Sequence, residues 1–206
     1  MDAQQHGFRL VEGYRVILAS NSPRRKELLS GLGIPFEVRT LSDIDESYPE
    51  TLKGEDIPMF ISGKKAEVYK RTMADDEMII TADTMVYDNG KVLGKPKDRE
   101  EAVSMLKELS GHAHEVITGV SIVTIEKTVQ FASTSKVYFA ELTDEEIAYY
   151  VDTYQPFDKA GAYGIQEWIG YVAVTRIEGS YFNVMGLPIQ RLYTELKKYG
   201  NLHSRT

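Results

Sequence analysis

Four groups of residues in this 206-residue chain have types and spacings suited to handling a charged ligand. The first is Ser20-Asn21-Ser22-Pro23-Arg24-Arg25, set between an apolar run at residues 16–19 and a helical pattern. Ser22 is placed to cap that helix, and Pro23 falls at the first helical position, where its missing N–H costs nothing. The unpaired N–H groups of a helix's first turn point outward and carry the positive end of its dipole. Arg24 and Arg25 are therefore electrostatically misplaced unless an anion sits nearby. A phosphate resolves the conflict through backbone N–H bonds and guanidinium contacts. The plain alternative is a capped helix with two solvated arginines.

The second group is Asp83-Thr84, which ends the apolar run at residues 78–82. Catalytic groups of α/β sheets gather at the carboxyl ends of strands, where the crevice lies. A carboxylate there binds a metal or acts as a general base toward water, unless it simply occupies a strand-to-hairpin turn. The third group is a set of lysines. Lys95 lies between Gly94 and Pro96, Lys159 precedes Ala160-Gly161-Ala162, and Lys65 sits in a helical stretch. Glycine beside a lysine lets phosphates approach closely. The fourth is Asp45-Glu46, in an acidic stretch over residues 40–58. Such carboxylates hold magnesium or manganese bridged to substrate phosphates, or are merely solvated. The histidines His6, His112, His114 and His203 have no metal-ligand spacing, and His112 and His114 read as turn and strand-edge residues. Trp168 and the 13 tyrosines read as packing, Tyr163 in the glycine-rich motif being a candidate exception.

The composition narrows the class. With 42% apolar and 27% charged residues the chain is globular, and its length supports one sizeable core. A net charge of −7 argues against nonspecific nucleic-acid binding. No cysteine is present, which removes disulfides, thiolate metal sites and a cysteine nucleophile, and fits a reducing cytoplasm. No apolar run reaches the roughly 18 residues of a membrane span, and the polar N-terminal stretch lacks a signal-peptide pattern.

The elements that must position these groups follow from local signals. The opening unit reads as strand, turn, helix and strand. A helix is expected over residues 59–73 and a strand over 78–82. A hairpin then turns at Asn89-Gly90, and Asp98 with Glu101 caps the next helix. Residues 116–125 and 128–140 form an antiparallel pair, and Thr143 with Glu146 caps a helix to about residue 154. A strand over 171–177 and an amphipathic helix over 188–199 close the chain.

In their order these segments resemble the Maf family of nucleotide pyrophosphatases, also described as septum-formation-inhibitor-like proteins. The matching motifs are LASNSPRRKELL (18–29), ADT (82–84), GKP (94–96), DKAGAYGIQ (158–166), GSY (179–181) and MGLP (185–188). The resemblance implies an α/β fold: a single domain with a curved mixed sheet flanked by helices and two lobes around a cleft, similar to the inosine triphosphate pyrophosphatases. The domain covers residues 14–200, with residues 1–13 as an N-terminal extension and 201–206 as a C-terminal tail. The implied activity splits a nucleoside triphosphate into a monophosphate and pyrophosphate. It depends on a divalent metal cation, Mg2+ or Mn2+, and needs no covalent nucleophile.

Within that resemblance, Asp83 matches the proton acceptor. Ser20, Arg24, Arg25, Lys65, Thr84, Lys95, Lys159 and Gln166 match substrate-binding or specificity positions. Glu46 and Asp83 match the metal-associated carboxylates, with Asp45 as the alternative to Glu46. Arg24, Thr84 and Gln166 resemble the dTTP/UTP branch, whereas the branch acting on 7-methyl-GTP resembles a Trp and a Gln at the first two positions. A glutamine amide can pair with the thymine or uracil edge, whose carbonyls flank one N–H. Three features depart from the pattern: residues 1–13, Lys64 beside Lys65, and Glu167-Trp168 after the glutamine, which could reshape the base pocket. The implied partners are a normal or non-canonical nucleoside triphosphate and a second copy in a homodimer, with no stable nucleic acid and no membrane. The alternative function is a nucleotide-sensing regulator of septum formation acting through a protein partner, for which the sequence offers no evident tail or apolar stripe.

Overall fold

A 12-residue strand organises the computed structural model, which describes residues 10–200. Residues 1–9 of the expected extension and the tail at 201–206 lie outside the described residues. The strands are β1 (Arg15–Leu18), β2 (Phe36–Val38), β3 (Glu77–Asp88), β4 (Lys91–Leu93), β5 (Ala113–Val123), β6 (Thr128–Phe139) and β7 (Val174–Glu178). They form one mixed sheet in the order β2-β1-β3-β5-β6-β7, and β4 also pairs with β3. One edge of β3 is covered by β5 from Ile79 to Tyr87. The other edge is shared. Parallel β1 covers it up to Ile80, and antiparallel β4 covers it from Val86. Residues 81–85 therefore have no strand partner on that side.

Helices lie on both faces: α1 (Pro23–Ser30), α2 (Asp56–Lys70), α3 (Arg99–Leu109), α4 (Asp144–Tyr154), α5 (Trp168–Val172), α6 (Tyr181–Met185) and α7 (Ile189–Gly200). Alternation along β3 feeds two cores. Met78, Ile80, Ala82 and Val86 join Leu106, Leu109, Ile147, Leu192 and Leu196 on one face. Ile79 packs with Ala66 and Tyr69 of α2 on the other, and Met85 packs there with Ile57 and Ile61. Local signals act as expected. Ser22 accepts from the Arg25 N–H, Asp98 from Glu101, and Thr143 with Glu146 makes a reciprocal capping box. Asn89 and Gly90 both take positive φ, 49° and 85°, as a two-residue hairpin turn of this hand requires.

Four expectations need correction. Asp83-Thr84 does not end a strand but lies inside β3, because β5 supplies an unbroken backbone ladder past both residues. α2 begins three residues early, at Asp56, since a proline in the first turn sacrifices no helical bond. Tyr171 and Val172 are helical, and β7 starts only at Val174. A Cβ on Gly170 would lie 1.7 Å from the Ile165 carbonyl oxygen, so a glycine lets the chain fold back tightly there. His114 is no strand-edge residue: it is buried on β5, an interior strand between β3 and β6. No helix among the described residues is long and apolar enough to cross a membrane.

Candidate active site

The unpaired stretch of β3 is the floor of a cleft. Asp83 and Thr84, adjacent in sequence, project to opposite faces of the strand. Asp83 faces α2, where Lys65 Nζ lies 2.8 Å from Asp83 Oδ1 and 2.8 Å from Glu46 Oε1. α2 is locked along the strand by Thr81 Oγ1, which donates to the Ser62 carbonyl at 2.7 Å. Asp83 Oδ2 has no protein partner among the described residues. Burial pushes the Glu46 carboxyl up, but the bond and charge of Lys65, with Lys95 and Arg25 beyond, hold it below its ordinary value.

Thr84 faces the other way. Its hydroxyl pairs with Thr118 Oγ1 at 2.9 Å and accepts from Arg25 Nη2 at 2.9 Å. Arg25 is tied on every nitrogen: Nε donates to the Gly186 carbonyl at 2.8 Å, and Nη1 to the Ala82 carbonyl at 2.9 Å and Ser20 Oγ at 3.4 Å. Burial lowers the proton affinity of this guanidinium, and Asp83 opposes the shift. Arg25 thus pins the β1–α1 loop, the open edge of β3 and the end of α6 to one another. Arg24 remains nearer the rim, with Nη1 3.3 Å from Asp158 Oδ2. Lys95 makes no ion pair among the described residues.

Two adjoining cavities make up the cleft, about 400 and 410 Å³ in volume. One is lined by Ile57, Ile61, Met85, Val116, Tyr163 and Met185, with Thr84 and Gln166 as polar groups. The other is polar, lined by the Ser20-Asn21-Ser22 loop and Thr40. Ser22, Arg24, Arg25, Glu46, Lys65, Lys95 and Asp158 border both, forming a charged neck. In the apolar lobe, Gln166 Oε1 is buried with no hydrogen-bond partner.

The structure gathers nearly every expected site residue. Asp45 stays outside the neck: Lys64 Nζ holds its Oδ2 at 2.7 Å, and Ser47 donates to it, keeping the carboxyl well below the usual range. Lys159 reaches the cleft already paired with Asp158 and Glu167, at 2.8 and 3.1 Å. Trp168 packs edge-on against Tyr149. Tyr163 lines the apolar lobe, but its ring packs edge-on with Phe139 and His114, and its hydroxyl meets His114 Nε2 at 2.7 Å. The sequence places Asp158 in a motif and marks Glu167 as a departure beside the base pocket, without giving either a role. Gly119 and Tyr150 carry no local signal.

The described residues contain no cluster of three or more histidine, aspartate or glutamate side chains placed to hold a metal. Asp83 and Glu46 do converge on the neck, which fits a hard cation. Such ions accept one or two carboxylates and complete their shell with water and substrate phosphates.

A gapped mixed sheet and a cationic neck between an apolar and a polar lobe define an α/β protein whose cleft suits an anionic ligand with an apolar part. Residues 15–199 match the family model described as Maf-like protein, and the chain belongs to that family. It is 61% identical over 189 residues to a protein of Parabacteroides distasonis named dTTP/UTP pyrophosphatase, covering 92% of this chain and 98% of that one. Proteins of the same name from Phocaeicola vulgatus and Bacteroides fragilis are 61% and 58% identical, each covering 91% of this chain and 97% of theirs. Among solved structures, a HAM1 protein from Coxiella burnetii is similar at 13% identity and a TM-score of 0.48, covering 90% of this chain and 99% of that one.

Proposed function

We propose that this chain is a nucleoside triphosphate pyrophosphatase that converts dTTP and UTP to the monophosphate and pyrophosphate. The observation that carries the reading is Lys65 held between Asp83 and Glu46 at the junction of the two lobes. A nucleotide laid across the cleft has its base in the apolar lobe and its phosphates in the polar one, with the reacting phosphate at the neck. Relatives at 55–61% identity carry the same substrate pair in their names.

Arg24, Lys95 and the amide groups at the start of α1 bind the phosphate oxygens, and Lys65 adds charge as negative charge builds toward the leaving pyrophosphate. Asp83, through its unengaged Oδ2, takes the proton of the water that attacks the α-phosphorus. The bond from that phosphorus to the bridging oxygen breaks, and pyrophosphate leaves. Arg25 acts through the groups it ties together. Gln166 lines the base lobe, where its amide pairs with the thymine or uracil edge. Asp83 and Glu46 would hold Mg2+ or Mn2+, which when bound withdraws charge from the phosphate oxygens.

A panel of dTTP, UTP, CTP and 7-methyl-GTP tests this with pyrophosphate and orthophosphate measured separately. Pyrophosphate release favouring dTTP and UTP is expected. Orthophosphate as the inorganic product, or no turnover of either nucleotide, would overturn the reading.

A further inference from the structure

Behind the apolar lobe, three side chains from two parts of the chain are joined by a hydrogen bond and an ion pair. Tyr150, on α4, is fully buried. Its hydroxyl donates to Glu167 Oε2 and accepts from the Gly164 N–H at 3.0 Å. Burial first, and the Glu167 carboxylate second, push the phenol up, so it keeps its proton and remains a donor. The other Glu167 oxygen lies 3.1 Å from Lys159 Nζ, and this lysine is only 8% exposed. With two carboxylates on its ammonium, Lys159 has its charge committed before any ligand arrives.

These groups meet Gln166 at Gly164. A Cβ on that glycine would lie 3.0 Å from Glu167 Cδ, 3.0 Å from Lys159 Cε and 3.1 Å from Gln166 Nε2. The glutamine amide therefore rests in the space a side chain would fill, beside the Glu167 carboxyl and the lysine stem. It makes no hydrogen bond to the described protein, and its Oε1 is buried. Packing alone gives the amide its direction.

We propose that Tyr150, Glu167 and Lys159 form a positioning relay that aims the Gln166 amide at the edge of a pyrimidine nucleotide's base, so that part of base selection resides on α4, outside the cleft. The proposal rests on the base-lobe reading above. None of the three need touch the base.

The test compares Glu167→Ala, Glu167→Gln, Tyr150→Phe and Gln166→Ala, with Glu167→Ala also made in the Gln166→Ala background. Two readouts are needed: kcat/KM for dTTP, UTP and CTP, and calorimetric Kd for dTMP and CMP, which requires no turnover. Glu167→Ala and Tyr150→Phe are expected to narrow the dTTP-over-CTP and dTMP-over-CMP margins by roughly two- to tenfold, the worth of one misdirected hydrogen bond. Glu167→Gln, which can still accept from Tyr150, should recover most of the margin. In the Gln166→Ala background, Glu167→Ala should leave the margin unmoved, because the two changes act through one group. Equal losses for all nucleotides, or independent effects of the two changes, would overturn the relay. Should Tyr150→Phe fail to fold, the Glu167 series decides alone. If the unmutated protein discriminates in neither turnover nor binding, the base-lobe reading falls and takes the relay with it. If it discriminates and the variants do so equally well, only the relay falls.

Discussion

Gly119 on β5 stands opposite Asp83 in the sheet, and replacing it with alanine tests whether α2 positions the catalytic centre. A Cβ there would lie 2.3 Å from the Pro58 carbonyl carbon, 2.4 Å from its oxygen and 2.4 Å from the Met59 nitrogen. These are backbone atoms of the first turn of α2, so no rotamer change relieves the clash. Carbon atoms pack at about 3.5–4.0 Å, which obliges the helix to retreat by about 1 Å. The retreat loosens the packing of buried Ile57, Ile61 and Ala66, and overpacking of this sort costs about 1–3 kcal/mol. Intrinsic preference has the opposite sign, since removing a glycine from a strand interior is worth about 0.5–1 kcal/mol. Lys65 rides on the same helix, and a displacement of about 1 Å at a catalytic centre costs about 100-fold in rate. Thermal unfolding and pyrophosphate release, assayed well below both midpoints, separate the two effects. Gly119→Ala is expected to lose about 2–4 °C per kcal/mol and about 100-fold in kcat, by the same factor for dTTP, UTP and CTP. A midpoint at or above that of the unmutated protein, with kcat intact, would refute this account of α2.

Asp83→Asn keeps the shape of the Lys65 contact and removes the base, so kcat for dTTP should fall about 10²–10⁴-fold with the circular dichroism spectrum unchanged; activity within a few-fold would reject the role. Excess chelator should stop pyrophosphate release and Mg2+ or Mn2+ restore it, and full turnover in chelator would end the cation assignment. Burial pulls His114 down from 6.5 to about 4. The unfolded chain then binds a proton that the folded one refuses, so stability present above pH 6.5 drains away as pH falls toward 4, by up to about 3 kcal/mol. His114→Gln should flatten the unfolding midpoint across that window, and an unchanged slope would show that His114 contributes nothing to it.

What the sequence discloses is what short-range chemistry decides. Ser22 and Pro23 start α1 whatever lies elsewhere, and Asn89-Gly90 turns the hairpin by its own conformational preference. Thr143 and Glu146 cap α4 reciprocally within four residues. The polar pair after Ala82 resembles a strand boundary. The ladder that carries β3 onward comes from β5, about 30 residues away. Tyr171 and Val172 have strand-like side chains, yet they lie in α5, beside the close approach of Gly170 to Ile165. The resemblance favours Glu46 over Asp45, and the structure separates the two. Successive residues on a helix diverge by about 100°, so Lys64 and Lys65 point apart and draw the two acidic neighbours to different sides.

The position of Asp83 inside a strand, and not at its end, follows from unequal strand lengths. β3 has 12 residues, whereas β1 and β4, which share one of its edges, have four and three. In a doubly wound sheet the crevice opens where neighbouring strands diverge beyond their carboxyl ends. Here it opens where β1 has stopped and β4 has not yet begun, and β5 keeps the floor rigid from behind. A loop could not hold Asp83 so firmly while leaving its edge uncovered. The two-residue period of the strand then divides the labour: Asp83 turns to Lys65, and Thr84 turns to Arg25 and the apolar lobe. Because Arg25 also reaches Ser20 and the Gly186 carbonyl, the β1–α1 loop and the end of α6 are fastened to Ala82 and Thr84 of β3. Lengthening β1 or β4 by even two residues would carry the ladder into this five-residue gap. The sheet would gain hydrogen bonds and lose the open edge beside Asp83, which is why the shortness of these strands belongs to the candidate site as much as Asp83 does.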